Sequence, residues 1–264
     1  MEIETLLLFA CGGLLWGSFL NMCGYRLLSG DSLLGLRSCC PHCKKTIAPY
    51  DLIPVVSYAV LRGRCRNCTH SISVLYPAIE LLGAVAGVAL CYDLTMMPAA
   101  SMTELVGRGV AYSIVLSGFI IATRTDLEAL VVPRIVIWGM GLAGSIAAVA
   151  GVLPVTVLAS CIGGIVGYGS LWLLNALSVR FTGREGIGEG DMELLAVVGT
   201  FWGPIGVWAV AFMSSILGVA CALIYLALTG QSRYTRIPFI PFMTASSIAY
   251  LFLQQEMLCW LWAV

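Results

Sequence analysis

The sequence predicts an all-α, polytopic membrane protein with about eight transmembrane helices and one small cytoplasmic loop domain. Three observations carry that reading. Of 264 residues, 59% are hydrophobic and only 11% charged, whereas soluble domains are about 25% charged. The apolar runs are long enough to cross a bilayer, roughly 4–27, 75–92, 103–123, 131–151, 154–178, 192–205, 207–229 and 238–262. The basic residues also fall in alternate loops, as the positive-inside rule requires.

The first span begins after the acidic stretch Met1-Glu2-Ile3-Glu4 and has no basic residue before Arg26. That order places the N-terminus outside and argues against a cleaved secretory signal. Arg26, Arg37, Lys44, Lys45, Arg62, Arg64 and Arg66 belong to the first loop. Arg124 and Arg134 belong to a second, Arg180 and Arg184 to a third, and Arg233 and Arg236 to a fourth. Only Arg108 falls on the other side. The sixth run, 192–205, is short for a crossing, so a thin, tilted or partly re-entrant segment is expected. The zero net charge implies no bulk attraction to nucleic acid.

The three domains expected are a first transmembrane helix at 1–27, a cytoplasmic loop at 28–74 and a membrane core at 75–264. The loop is too short to bury a core unaided, so a structural metal is expected. It holds two C-x-x-C knuckles, Cys40-Pro-His-Cys43 and Cys65-Arg-Asn-Cys68. Each offers two thiolates about one turn apart, and together they complete a tetrahedral sulfur site for zinc. Cys39, His42 and His70 are rival ligands. A cytoplasmic location disfavours disulfides. Cys11, Cys23, Cys91, Cys161, Cys221 and Cys259 lie in or near apolar runs and are packing residues.

Asp126 and Asp191 stand where apolar runs break on the same predicted side. Asp126 reads as a residue between the third and fourth spans, with Glu128 as its rival. Asp191 closes Gly188-Glu-Gly190-Asp191, before the helix starting Met192-Glu-Leu-Leu. The glycines allow unusual backbone conformations and a close approach of another segment, and Asp191 is placed to cap that helix. Two acids that meet at a membrane edge suggest a carboxylate pair sharing one proton, the chemistry of aspartic proteolysis. One apparent pKa of such a pair should be raised by burial and like-charge repulsion. Such a site suits a helical substrate whose end must fray near water before its amides can be cut.

The pattern resembles the type IV prepilin peptidases, bifunctional leader peptidase/N-methyltransferases of the GxGD group. The resemblance rests on Gly17-Ser-Phe-Leu-Asn21 with Tyr25-Arg-Leu27, the two cysteine knuckles with Ile53-Pro54 and Ser57-Tyr58 between them, Tyr76-Pro-x-x-Glu80, Gly190-Asp191-x-x-Leu194-Leu-Ala196 and Ile237-Pro-Phe-Ile-Pro-Phe242. It implies a bacterial inner-membrane enzyme with its active site and zinc loop facing the cytoplasm. Prepilins and type II secretion pseudopilins would be cut after a glycine that ends a basic leader. The new N-terminal residue would be methylated from S-adenosylmethionine. By motif, Asp126 and Asp191 are the catalytic pair and Cys40, Cys43, Cys65 and Cys68 the zinc ligands. Glu80 is the candidate for methyl transfer, with Gly17 and Asn21 beside it. On its own chemistry Glu80 is an acid near a helix start, where the dipole favours it. Ser18 and Asn21 also suit interhelical hydrogen bonding, and Trp16 suits an interface. No glycine-rich motif identifies an S-adenosylmethionine site. Two positions depart from the family pattern: Arg134 stands where an aspartate is usual, and Glu193 where a lysine is usual. Rival readings are an ion- or proton-coupled transporter and a non-enzymatic assembly protein docking through the zinc loop. The lack of acids deep in the spans weighs against the transporter.

Overall fold

The structure is a computed structural model and describes residues 3–32, 37–96, 101–230 and 235–262, with side chains to 254. Met1, Glu2, Arg233 and the Cys259 side chain therefore lie outside the described residues. The elements are α1 (Ile3–Ser29), a 3₁₀ turn (Pro49–Leu52), α2 (Val56–Val60), α3 (Leu75–Thr95), α4 (Met102–Ala129), α5 (Arg134–Val149), α6 (Val157–Thr182), α7 (Glu189–Thr229) and α8 (Ile240–Trp262). Among the described residues there is no strand, only the isolated bridges Cys39–Thr46 and Arg64–Ser71. Five helices (α1, α3, α4, α6 and α7) are long and apolar enough to cross a membrane. Arg134–Val149 and Ile240–Gln254 are shorter apolar helices. The protein is thus an all-helical polytopic membrane protein, while length and composition alone do not reach the expected count of eight.

Two compact units are present, Met1–Cys91 and Tyr92–Val264. In the first, α1 and α3 pack antiparallel through glycine. A Cβ on Gly13 would strike the backbone of Gly83 and Ala84, one on Gly17 would lie 3.0 Å from the Ile79 carbonyl, and one on Gly87 would strike the Phe9 carbonyl. Without a hydrophobic drive between helices in lipid, such close approach supplies the van der Waals contact that holds them.

In the second unit the expected sixth and seventh runs form one element, α7, broken at Gly203 (φ 66°, ψ −169°) ahead of Pro204. Only glycine adopts that backbone readily. The first arm lies against α6, where Gly163 meets Gly199 and Gly203, and Gly167 meets Leu195 and Ala196. The second arm runs along α8, with Gly206 near Tyr250 and Gly218 near Phe239 and Phe242. α4 is antiparallel to α8, because Thr123 bonds Thr244 at 2.7 Å while Arg108 shares a partner with Gln254. Tyr112 near the start of α4 meets Trp202 at the end of the first arm. The two arms of α7 therefore run in opposite directions, and the chain reverses at Gly203.

Candidate active site and metal centre

In the second unit, α4 continues two turns past the expected end of its span. Asp126 accordingly lies in the last turns of α4 and is 7% exposed, not in a solvated loop. The helix stops at Leu130, which takes a left-handed conformation (φ 54°) and returns its N–H to the Asp126 carbonyl at 2.9 Å. The Asp126 carboxylate accepts the N–H of Ile240, the first residue of α8, at 3.1 Å. That bond ties the acid to a helix start 114 residues away in sequence. The rival Glu128 is exposed and engaged by Arg124, whose side chain is buried.

Asp191 sits in the first turn of α7, where the N-cap is Gly188 and no side chain caps the helix. Asp191 is therefore not the N-cap residue; it stands within the first turn, with its carboxylate close to Gly188. Neither Gly188 nor Gly190 has a positive φ, so the glycines serve close approach and not unusual backbone geometry. A Cβ on Gly188 would lie 3.3 Å from the Asp191 Oδ2, and one on Gly190 would lie 3.3 Å from Val132. The segment before it is ordered by Asn175 of α6, whose Oδ1 accepts the N–H groups of Gly186 (3.0 Å) and Ile187 (3.1 Å). These contacts bring Asp191, which is half-buried, within electrostatic range of Asp126.

The two positions that depart from the family pattern face each other. Arg134, the first residue of α5, bonds Glu189 at 2.6 Å and lies 3.8 Å from Glu193. The resemblance leads one to expect an aspartate and a lysine at these two positions; the arginine and glutamate found here also form a pair of opposite charges. The Glu193 charge is met by Arg134. Exposed pairs of this kind contribute about 0–1 kcal/mol. Arg134→Glu is therefore expected to lower activity a few-fold by crowding acids around Asp191, and Arg134→Glu/Glu193→Arg to restore it. Initial rates of the two variants at low and high salt check this, since screening should shrink the difference.

In the first unit, each knuckle is a tight turn of the same construction. Cys40 N–H bonds the Lys45 carbonyl at 3.0 Å and Lys44 N–H the Cys40 carbonyl at 2.9 Å; Cys65 N–H bonds the His70 carbonyl at 2.9 Å and Thr69 N–H the Cys65 carbonyl at 2.9 Å. Lys44 (φ 56°) and Thr69 (φ 57°) take equivalent left-handed positions. The Sγ atoms of Cys40, Cys43, Cys65 and Cys68 all lie within 4.8 Å of one another, with Cys40 and Cys68 at 3.9 Å. Zinc–sulfur bonds of about 2.3 Å require sulfurs about 3.8 Å apart in a tetrahedron, so the four thiols fit that ion. N–H groups of Cys68 and Asn67 pull the Cys65 thiol down to about 7, while Cys68, against the pull of the His70 N–H, is pushed up to about 11 by burial and hydrogen bonds from the neighbouring thiols, so the clustered thiols share their remaining protons. Cys39 is exposed, and the rings of His42 and His70 stack on each other at 4.2 Å, so none of the three belongs to the cluster. Arg66 joins the second knuckle to the 3₁₀ turn through two bonds to Asp51 (2.8 and 2.7 Å), which hold that carboxyl below its usual range.

Glu80 is also in this unit, in the second turn of α3 and 8% exposed. Its Oε1 accepts Ser18 Oγ–H at 2.8 Å, and its Oε2 accepts the Val55 N–H at 2.7 Å. Val55 has φ 61° and ψ −47°, and its neighbours close a three-residue turn, Val56 N–H to Pro54 carbonyl at 2.5 Å. Such turns are rare and strained, more so for a β-branched residue. Sequence reasoning placed Glu80 and Ser18 separately; the hydrogen bond between them and the strained turn came only with the fold. Gly17 lets α1 approach the backbone of Glu80 (3.2 Å to a Cβ), and Asn21 is buried on the same helix.

Two family models match the chain: the bacterial peptidase A24 N-terminal domain over residues 11–94 and the type IV leader peptidase family over residues 113–223. The chain is 33% identical over 261 residues to the type 4 prepilin-like proteins leader peptide-processing enzyme of Escherichia coli O78:H11, covering 92% of each. It is 34% identical over 247 residues to a prepilin leader peptidase/N-methyltransferase of Bacillus subtilis, covering 91% of each. Against the protein of that name from Neisseria gonorrhoeae it is 32% identical over 250 residues, covering 83% of this chain and 82% of the relative. No solved structure matches. Both matched regions fall on the candidate groups just described, Glu80 and the cysteine cluster in the first and Asp126 and Asp191 in the second, and the chain belongs to the type IV leader peptidase family.

Proposed function

We propose that the chain is a bifunctional prepilin leader peptidase and N-methyltransferase of a bacterial inner membrane, with its sites at the cytoplasmic face. The observation that carries the peptidase half is the contact of Gly190 with Val132, which sets the first turn of α7, with Asp191, against the segment that leaves α4 just after Asp126. One carboxylate draws a proton from a water molecule, which attacks the scissile carbonyl carbon. The other, protonated, donates to the carbonyl oxygen; the proton then passes to the leaving amine. The substrates are type IV prepilins, in keeping with the names of the relatives, and pseudopilins with the same kind of leader are proposed with them. The short basic leader would stay on the cytoplasmic side of the lipid, and the apolar helix that follows it would lie in the bilayer.

The four cysteines hold a structural zinc that shapes the 28–74 loop, and its chemistry is charge neutralisation and cross-linking. The names of the relatives include N-methyltransferase, and the methyl donor proposed here is S-adenosylmethionine. Glu80 serves methyl transfer by binding the new N-terminal ammonium group or by holding the Val55 turn. Incubation of the purified chain with a full-length prepilin and S-adenosylmethionine tests both activities by product mass. Cleavage after the leader glycine plus one added methyl group is expected. Glu80→Gln, whose oxygen can still accept from the Val55 N–H while its NH2 donates to Ser18 Oγ, should leave cleavage intact and reduce methylation about tenfold or more. Uncleaved substrate would overturn the peptidase reading, and full methylation by Glu80→Gln would remove the carboxylate from methyl transfer.

A further inference from the structure

The second unit also contains an ion pair that neither proposed activity uses. Asp93, in the last turn of α3, and Arg108, in α4, are 1% and 7% exposed. Arg108 donates to Asp93 Oδ1 at 2.8 Å, and Gln254 of α8 donates to the same oxygen. The Arg108 guanidinium lies 5.3 Å from the centre of the Tyr112 ring, which packs at 6.0 Å against Trp202, the residue before the break in α7. Asp93 Oδ2, Arg108 Nε, Tyr112 Oη and Trp202 Nε1 are buried with no hydrogen-bond partner among the described residues.

Burying such a cluster is unfavourable, and a buried ion pair is a poor source of stability compared with apolar packing. What it supplies is a single geometry. Its location gives that geometry a use. Along α4, Arg108 stands about 27 Å from Asp126; along α7, Trp202 stands about 16 Å from Asp191; along α8, Gln254 stands about 21 Å from Ile240. Each helix that carries a group of the aspartate site is thus joined to the same polar cluster at its other end.

We propose that Asp93, Arg108 and Gln254 are positioning residues. They fix the axial register of α4, α7 and α8, so that the Ile240 N–H meets Asp126 and Asp126 meets Asp191. This inference rests on the peptidase reading of that pair.

The test uses the full chain in detergent micelles. Asp93→Leu/Arg108→Met removes both charges together, which preserves stability where a single replacement would strand a buried ion. Gln254→Leu removes only the link to α8. Hydrogen exchange is measured by mass spectrometry over 188–195 and 239–243, with prepilin cleavage kinetics and melting alongside. In the double variant, exchange should rise about threefold or more at both segments with melting retained. Its kcat should fall about tenfold or more, with KM within about twofold. Gln254→Leu should loosen 239–243 and leave 188–195 unchanged. A folded double variant with wild-type exchange and kcat overturns the proposal, as does wild-type exchange at 239–243 in Gln254→Leu. Failure of the unaltered chain to cleave prepilin would refute the peptidase reading instead, while exchange still decides whether the cluster sets register.

Discussion

Asp126→Asn and Asp191→Asn should each stop prepilin processing, with a fall in kcat of about a thousandfold or more. An amide can neither draw a proton from water nor donate one as an acid, so either change removes half of a two-part machine. The double variant should be no worse than the single ones, because groups that act as a unit are non-additive. The fold should survive Asp126→Asn, since the oxygen of the introduced amide can still accept from Ile240 N–H. Single-turnover cleavage followed by product mass, with melting as a control, reads all three variants. Glu128→Gln is the matched comparison: Glu128 is exposed and bound to Arg124, so it should retain most activity. Residual processing by Asp191→Asn at a tenth of the normal rate would leave the pair without its proposed role.

Cys40→Ser/Cys65→Ser should abolish bound zinc, from one ion per chain to none, and unfold the loop around it. Besides backbone turns, the described part of the loop is tied by single polar contacts such as Arg66–Asp51, Val55 N–H to Glu80 and Ser57 Oγ–H to the Tyr50 carbonyl. Structural zinc in small modules contributes about 10–16 kcal/mol of apparent binding energy, far more than an exposed ion pair. Metal analysis and limited proteolysis between 37 and 74 check the outcome. Cys39→Ser should retain zinc, because Cys39 lies outside the cluster. Zinc affinity should also fall as pH is lowered, since protons compete for the thiolates.

Local features of this fold were legible in the sequence, and long-range ones were not. The knuckles announce themselves because ligand spacing is a local property. The break in α7 could be placed near Gly203-Pro204 because glycine and proline interrupt a helical run. Asp126 was harder. Its polar neighbours Arg124, Thr125 and Glu128 suggest a loop, whereas burial against α8 keeps the segment helical and dry. Arg108 read only as the one basic residue on the other side, within the run 103–123, and Asp93 falls just past the run 75–92. Only the fold pairs them, and it places an acid deeper in the protein than the apolar pattern allowed. The roles of Gly188 and Gly190 likewise depend on what packs over them, which no local pattern reports.

The reversal at Gly203 bears on the surrounding lipid. The arm from Glu189 to Trp202 rises about 20 Å, and α5, with 16 residues, about 24 Å, against a hydrocarbon layer of about 30 Å. Acyl chains beside these helices must shorten or splay to match them. Such thinning is expected to bring headgroups and water nearer to Asp191, and on the peptidase reading turnover should depend on the chain length of the lipids in which the protein is reconstituted.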